Sequence, residues 1–117
     1  MIPQRFNRPI QIAVKLAKSA YAVHKMGCVV LKNGRILGKG CNNYHTGSHC
    51  ERTALGKNWR SEFEGCTVVI IRIRKAQPYG MARPCKDCME LIRACGAKQI
   101  IYSTNDVDNP IILEKWP

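Results

Sequence analysis

The 117-residue sequence has no long apolar run, no low-complexity tract and no internal repeat. Its longest apolar stretch lies around Thr67 to Ile71, which is far shorter than the ~20 residues that a membrane-spanning helix needs. Residues 1–9 contain two arginines, Arg5 and Arg8, but they are not followed by an unbroken apolar segment of the kind found in secretion signals. These absences predict one globular domain over residues 1–117, located in the cytoplasm and without a membrane partner.

Acidic residues are also scarce. The chain has 8 Asp and Glu against 19 Lys and Arg, which gives a net charge of +11, and its first 50 residues contain no acidic side chain. This imbalance predicts an anionic partner. Charge alone does not choose between a nucleotide, a polynucleotide and a merely solvated basic surface, so nucleic acid stays open as a partner.

The cysteines are odd in number, seven in all. A chain of this size folds without disulfides, so the count favours metal ligands or buried free thiols over a disulfide framework. Four of them sit in apolar patterns and are predicted to be core thiols: Cys28, Cys41, Cys66 and Cys95.

The pattern of apolar residues predicts an α/β chain. Helices are predicted over 10–24, 49–59 and 85–95, and strands over 28–31, 35–40, 66–73, 98–103 and 110–116. The dipeptide Asn33-Gly34 predicts a type I′ hairpin between the first two strands. The almost wholly apolar third strand is predicted to be central and covered on both faces. Residues 104–109 are too few for a parallel crossover, so the last two strands are predicted to be antiparallel.

Two short fragments carry the chemistry, His49-Cys50-Glu51 and Pro84-Cys85-Lys86-Asp87-Cys88. Each is a weak signal alone, because a Cys-x-x-Cys pair could also be a zinc knuckle, a redox pair or two core thiols. Together they supply an imidazole and two thiolates from predicted first helical turns, where the helix dipole favours thiolate over thiol. Three such ligands leave the fourth position of a tetrahedral zinc ion open, as catalytic sites do. We interpret Glu51 as a proton shuttle and not as a ligand.

On these fragments, together with Gly40-Cys41-Asn42 and the order of elements, the chain resembles the cytidine deaminase-like superfamily, in particular the cytidine and deoxycytidylate deaminase type. The resemblance covers nearly the whole length. It implies a three-layer α/β/α fold with a mixed central sheet. It also implies one zinc ion per chain, held by His49, Cys85 and Cys88, and a zinc-bound hydroxide that attacks C4 of cytosine while Glu51 moves the protons.

The resemblance implies three further contacts with the substrate. Asn42 would contact the sugar or base, and the carbonyl of Arg83 would accept a hydrogen bond from the exocyclic amine. The residue between His49 and Glu51 is usually alanine in this family and is Cys50 here. Its implied role belongs to the backbone N–H, which a cysteine leaves intact.

The leading functional hypothesis is zinc-dependent hydrolytic deamination of cytosine in a free nucleoside or nucleotide, by a homo-oligomer. The main rival is deamination of cytosine or adenine in single-stranded DNA or RNA, which the net charge of +11 favours. A third hypothesis is a non-catalytic, zinc-stabilised binding domain. Glu51 argues against that third hypothesis, because zinc binding alone does not need it.

Overall fold

A computed structural model of the chain describes residues 2–42, 49–56, 61–75 and 78–116. Its helices are α1 (Asn7–Ser19), α2 (Cys50–Leu55) and α3 (Lys86–Ala94), with short 3₁₀ turns at Gln4–Phe6 and Ser61–Phe63. Its strands are β1 (Lys25–Lys32), β2 (Arg35–Cys41), β3 (Thr67–Ile73), β4 (Gln99–Ser103) and β5 (Ile111–Lys115). Within these described ranges no helix has the length and apolar character needed to cross a membrane.

The five strands form one mixed sheet in the order β2-β1-β3-β4-β5. Strands β3 and β4 run parallel, and the other neighbouring pairs are antiparallel. The last two strands pair from Gln99↔Lys115 to Ser103↔Ile111, which confirms their predicted antiparallel arrangement. The central position of β3, with its first five residues buried, is confirmed as well.

Helices cover both faces of the sheet, which confirms the predicted three-layer fold. On one face Ile10 and Ala13 of α1 pack against β-strand residues such as Val69 and Ile71. On the other face α2 and α3 cover the alternate residues of the same strands, including Val30, Val68 and Ile70. Because α2 and α3 share a face, their N-termini can meet above the sheet.

The predicted end of the first helix is wrong. The helix ends at Ser19 and not at His24, and β1 starts at Lys25 instead of Cys28. The cause is strand pairing, because Lys25 to Gly27 lie opposite Ile73 to Ile71 of β3. Gly27 does not end a helix. A Cβ there would lie 2.1 Å from the carbonyl oxygen of Ala13, so its glycine lets α1 approach β1 closely.

The predicted turns agree with the structure. Asn33 and Gly34 have φ values of 52° and 79°, which confirms the type I′ hairpin. Helix α3 is followed by Gly96, with φ of 94°, as predicted for its C-terminus. Helix α2 ends before Gly56, so the predicted second helix is shorter than 49–59, and residues 57–60 lie outside the described residues.

Close packing of α2 on β2 sets the height of the candidate site above the sheet. A Cβ at Gly38 would lie only 1.9 Å from the carbonyl oxygen of Ala54 in α2. Any residue other than glycine would therefore push the helix away from the strand. The helix that follows His49 is held in place by this contact.

Candidate metal centre

The candidate ligands lie at the N-termini of two helices on one face of the sheet. His49 is the N-cap residue of α2, and Cys85 is the N-cap residue of α3, both with extended backbone angles. Cys88 lies in the first turn of α3. The chain reaches α2 after β2 and α3 after β3, so tertiary packing joins two fragments that are more than 30 residues apart in sequence.

The three side chains converge. Nδ1 of His49 lies 3.3 Å from Sγ of Cys88 and 3.9 Å from Sγ of Cys85, and the three donor atoms lie within 4.8 Å of one another. Tetrahedral zinc with Zn–S of ~2.3 Å and Zn–N of ~2.0 Å sets its nitrogen and sulfur ligands about 3.5 Å apart. The observed distances bracket that value, so the donor atoms fit a zinc ion.

Exposure differs between the three ligands. His49 and Cys85 are exposed, whereas Cys88 is buried. The site therefore has one side against the core and one side toward solvent. A catalytic zinc site needs such an open side, because its fourth position takes water or substrate.

Burial, followed by the negative charge of Glu51, raises the pKa of the Cys88 thiol to about 12. Burial and Glu51 therefore oppose the thiolate form that the helix N-terminus favours. A cation at this position would supply the missing stabilisation of the thiolate.

Glu51 lies directly beside this site but outside the group of three ligands. Its side chain is only 3% exposed, and its Oε1 accepts a hydrogen bond from Sγ of Cys50 at 3.2 Å. A carboxylate that transfers protons must lie close to the reacting groups, and Glu51 lies next to the candidate ligands. Its role stays a prediction.

The three predicted substrate contacts are placed as follows. Cys50 is fully buried at the start of α2. Asn42 follows β2, and its amide is turned toward β1: Oδ1 accepts from the N–H of Met26 at 3.0 Å and Nδ2 donates to the carbonyl of His24. The roles of the Cys50 N–H and of Asn42 stay predictions.

The side chain of Arg83 forms an ion pair with Glu114. Its Nε and Nη2 donate to the carboxylate of Glu114 in β5 at 3.3 and 3.2 Å, and the hydroxyl of Tyr102 donates to the same carboxylate. The Arg83 guanidinium lowers the pKa of Glu114. Sequence reasoning missed this ion pair, since its partners are separated by 31 residues. Only the carbonyl of Arg83 is left for the predicted substrate contact.

Most of the predicted structural residues lie where expected. Cys28, Cys66 and Cys95 are buried, Cys41 is half-buried, and all seven cysteines are free. Tyr102 packs in the core. Tyr44, His45 and Trp59 lie outside the described residues.

Comparison with known proteins decides the family. Residues 4–104 match the sequence model of the cytidine and deoxycytidylate deaminase zinc-binding region. The chain belongs to this family. The match spans His49, Glu51, Cys85 and Cys88, and the family's zinc-binding region agrees with the donor atoms on zinc as the cofactor.

Solved structures share the fold over most of the chain. The dCMP deaminase of cyanophage S-TIM5 is 25% identical, with a TM-score of 0.67 over 92% of this chain and 90% of that one. The cytidine deaminase of Burkholderia pseudomallei is 21% identical, with a TM-score of 0.64 over 91% and 88% of the two chains. This deaminase-family chain therefore shares its fold with most of the length of both structures.

A second kind of relative is longer. The riboflavin biosynthesis protein RibD of Actinobacillus pleuropneumoniae is 29% identical over 87 residues, which are 74% of this chain and 22% of that protein. A deaminase/reductase of Thermotoga maritima is 25% identical, with a TM-score of 0.63 over 88% of this chain and 30% of that one. This chain thus spans about a fifth to a third of these relatives' length.

Proposed function

We propose that this chain catalyses the zinc-dependent hydrolytic deamination of cytosine to uracil in a free nucleoside or nucleotide. The observation that carries the proposal is the convergence of His49, Cys85 and Cys88 at two helix N-termini, with the buried carboxylate of Glu51 beside them. A structural zinc site would be closed by a fourth ligand, whereas the described residues bring together three ligands, two of them exposed.

His49, Cys85 and Cys88 would hold the zinc ion. When bound, zinc acts as a Lewis acid that makes water nucleophilic at neutral pH. Glu51 would accept the proton that water gives up and deliver protons to N3 of the base and to the departing amine. The balanced reaction consumes one water, converts the cytosine nucleoside or nucleotide into the corresponding uracil compound and releases ammonia. The carbonyl of Arg83 would accept from the exocyclic amine, and the backbone N–H of Cys50 and the amide of Asn42 would contact the base and sugar.

The relatives leave two candidate substrates. Similarity to the dCMP deaminase of cyanophage S-TIM5 over nearly the full length of both chains supports a cytosine nucleotide, and that enzyme has been solved with dCMP and dUMP. Identity of 29% to RibD supports a second candidate, the phosphoribosylated aminopyrimidine that the Thermotoga maritima relative's name specifies. We favour the cytosine compound, because the RibD relatives are several times longer than the region that matches.

A substrate panel tests this proposal. Zinc-loaded protein is incubated with cytidine, deoxycytidine, CMP, dCMP, the phosphoribosylated aminopyrimidine and a short single-stranded oligonucleotide, and ammonia and product are measured. We expect uracil product from a free cytosine compound. Turnover of the aminopyrimidine alone would select the second candidate, and no turnover of any compound would overturn the proposal.

The other expectations about the whole enzyme belong with this proposal. We propose that residues 1–117 act as one catalytic domain, in a homo-oligomer, in the cytoplasm. Sedimentation of the purified protein measures its oligomeric state directly, and a purely monomeric enzyme with full activity would contradict that part.

A further inference from the structure

A basic cavity lies at the end of β3, apart from the three metal ligands. Its volume is about 400 Å³. The described residues that line it include five basic or imidazole side chains and no acidic one: His24, Lys25, Arg72, Arg74 and Lys75. A cavity of this composition suits an anion, because it concentrates positive charge without a carboxylate to neutralise it.

The cavity lies at the same edge of the sheet as the metal centre. The N-terminus of β1 lies beside the C-termini of β2 and β3, since Lys25 pairs with Ile73 and Gly27 pairs with Cys41. The chain leaves β2 and β3 at this edge to reach α2 and α3. Asn42 links the two regions, because its side chain bonds the backbone of His24 and Met26.

Arg72 points to the face that carries the candidate metal ligands. Side chains alternate along β3, and Ile70 packs on the α2 and α3 side whereas Ile71 and Ile73 pack on the α1 side. Arg72 lies two residues after Ile70 in the strand, so its side chain lies on the same face as that of Ile70. Gly80 contacts Arg72 and Arg74 together, since a Cβ there would lie 2.9 Å from Cδ of each.

Hydrogen bonds hold the backbone of Arg72 and Gly80. The N–H of Arg72 donates to Oγ of Ser103 at 2.9 Å, the N–H of Gly80 donates to the Arg72 carbonyl at 2.9 Å, and Oγ of Ser103 donates to the Gly80 carbonyl at 2.8 Å. Nη2 of Arg72 lies 2.8 Å from Nδ1 of His24. The buried Nε of Arg72 has no acceptor among the described residues.

We propose that this cavity binds the phosphate group of the substrate, with Arg72 and Arg74 as its main donors, so that the enzyme prefers a nucleoside monophosphate over the nucleoside. The inference rests on the proposed deaminase function. Guanidinium groups bind phosphate oxygens through paired N–H donors. The Cδ atoms of Arg72 and Arg74 both lie beside Gly80, so the two side chains start close together before the ligand arrives, which lowers the entropic cost of binding.

Kinetics on a matched pair of substrates test the inference. Arg74→Gln should lower kcat/KM for dCMP about 10- to 100-fold, the usual effect of losing a hydrogen bond to a charged group, and should leave deoxycytidine unchanged. Gly80→Ala should act in the same direction without changing charge, because its methyl group displaces both arginines. Arg35→Gln is the charge-matched control, since Arg35 is exposed and pairs with Glu62. It should alter neither substrate.

A binding measurement keeps the inference separate from the reaction. Inorganic phosphate, added at constant ionic strength, should raise the melting temperature of the wild-type protein and of Arg35→Gln, and should raise that of Arg74→Gln by much less. If no compound is deaminated but phosphate still stabilises the protein through Arg74, the proposed function fails and the phosphate site stands. Equal losses of activity on dCMP and deoxycytidine, or no stabilisation by phosphate, would overturn the phosphate site. Preferential deamination of an oligonucleotide would overturn the monophosphate and assign the cavity to a polynucleotide backbone.

Discussion

Substitution of Gly38 by alanine tests whether the packing of α2 on β2 sets the geometry of the site. The added Cβ would lie 1.9 Å from the carbonyl oxygen of Ala54, whereas carbon–oxygen contacts settle at ~3.3 Å or more. Helix α2 must therefore move away from the strand by about 1.4 Å. Overpacking of this kind costs about 1–3 kcal/mol. At about 4 °C per kcal/mol for a domain of this size, the melting temperature should fall by about 4–12 °C.

The same movement should reduce activity by more than the loss of stability explains. Helix α2 carries His49 at its N-cap and Glu51 in its first turn, and a displacement of about 1 Å in a catalytic group can cost ~10²-fold in rate. Circular dichroism melting gives the loss of stability, and turnover of zinc-loaded protein, measured well below the melting temperature, gives the loss of activity. Lys39→Ala is the control, because Lys39 is exposed on the same strand. A Gly38→Ala protein with wild-type melting and wild-type turnover would refute the reasoning.

Three further predictions follow from individual contacts. Cys88→Ala should abolish zinc binding and lower stability, whereas Cys66→Ala should retain zinc, as measured by metal analysis; equal zinc in both would contradict the ligand assignment. Glu114→Gln should cost up to about 1 kcal/mol at pH 7 in urea unfolding. Arg83 lowers the pKa of Glu114, so the wild-type advantage should be present above pH ~4.3 and be lost as the pH falls through the lowered folded-state value; an advantage that persists at pH 2 would oppose this. Excess single-stranded oligonucleotide should leave dCMP turnover unchanged. The polynucleotide rival would be favoured if the oligonucleotide inhibits, if uracil forms in it, and if its binding constant falls by about 0.7 log units per phosphate contact for each tenfold rise in salt.

Local sequence signals predicted those parts of the fold that depend on neighbouring residues. Asn33-Gly34 specifies its turn because both residues tolerate positive φ, and the brevity of the 104–109 segment alone requires an antiparallel final pair. The end of α1 depends on distant residues. Tyr21 continues the helical spacing of apolar residues, yet it is 65% exposed outside the helix. Pairing of Lys25 with Ile73 starts β1 earlier than any local pattern indicates.

The candidate site also has parts that short sequence fragments predict and parts that depend on tertiary packing. The candidate ligands His49, Cys85 and Cys88 could be predicted from two short fragments, because their residue types are rare and their chemistry is specific. The ion pair of Arg83 with Glu114 and the side-by-side placement of Arg72 and Arg74 have no such signal. Ordinary surface arginines look identical in sequence, and only the packing of β5 and of Gly80 distinguishes these.

Turnover by Glu51→Gln, measured together with its zinc content, tests the central claim most directly. Glutamine keeps the size and hydrogen-bonding shape of the side chain but does not accept a proton at neutral pH. We expect one zinc per chain, an unchanged fold and a loss of ~10²- to 10⁴-fold in kcat, with Glu90→Gln, an exposed position on α3, as the active control. Undiminished turnover in a zinc-loaded Glu51→Gln protein would contradict the account.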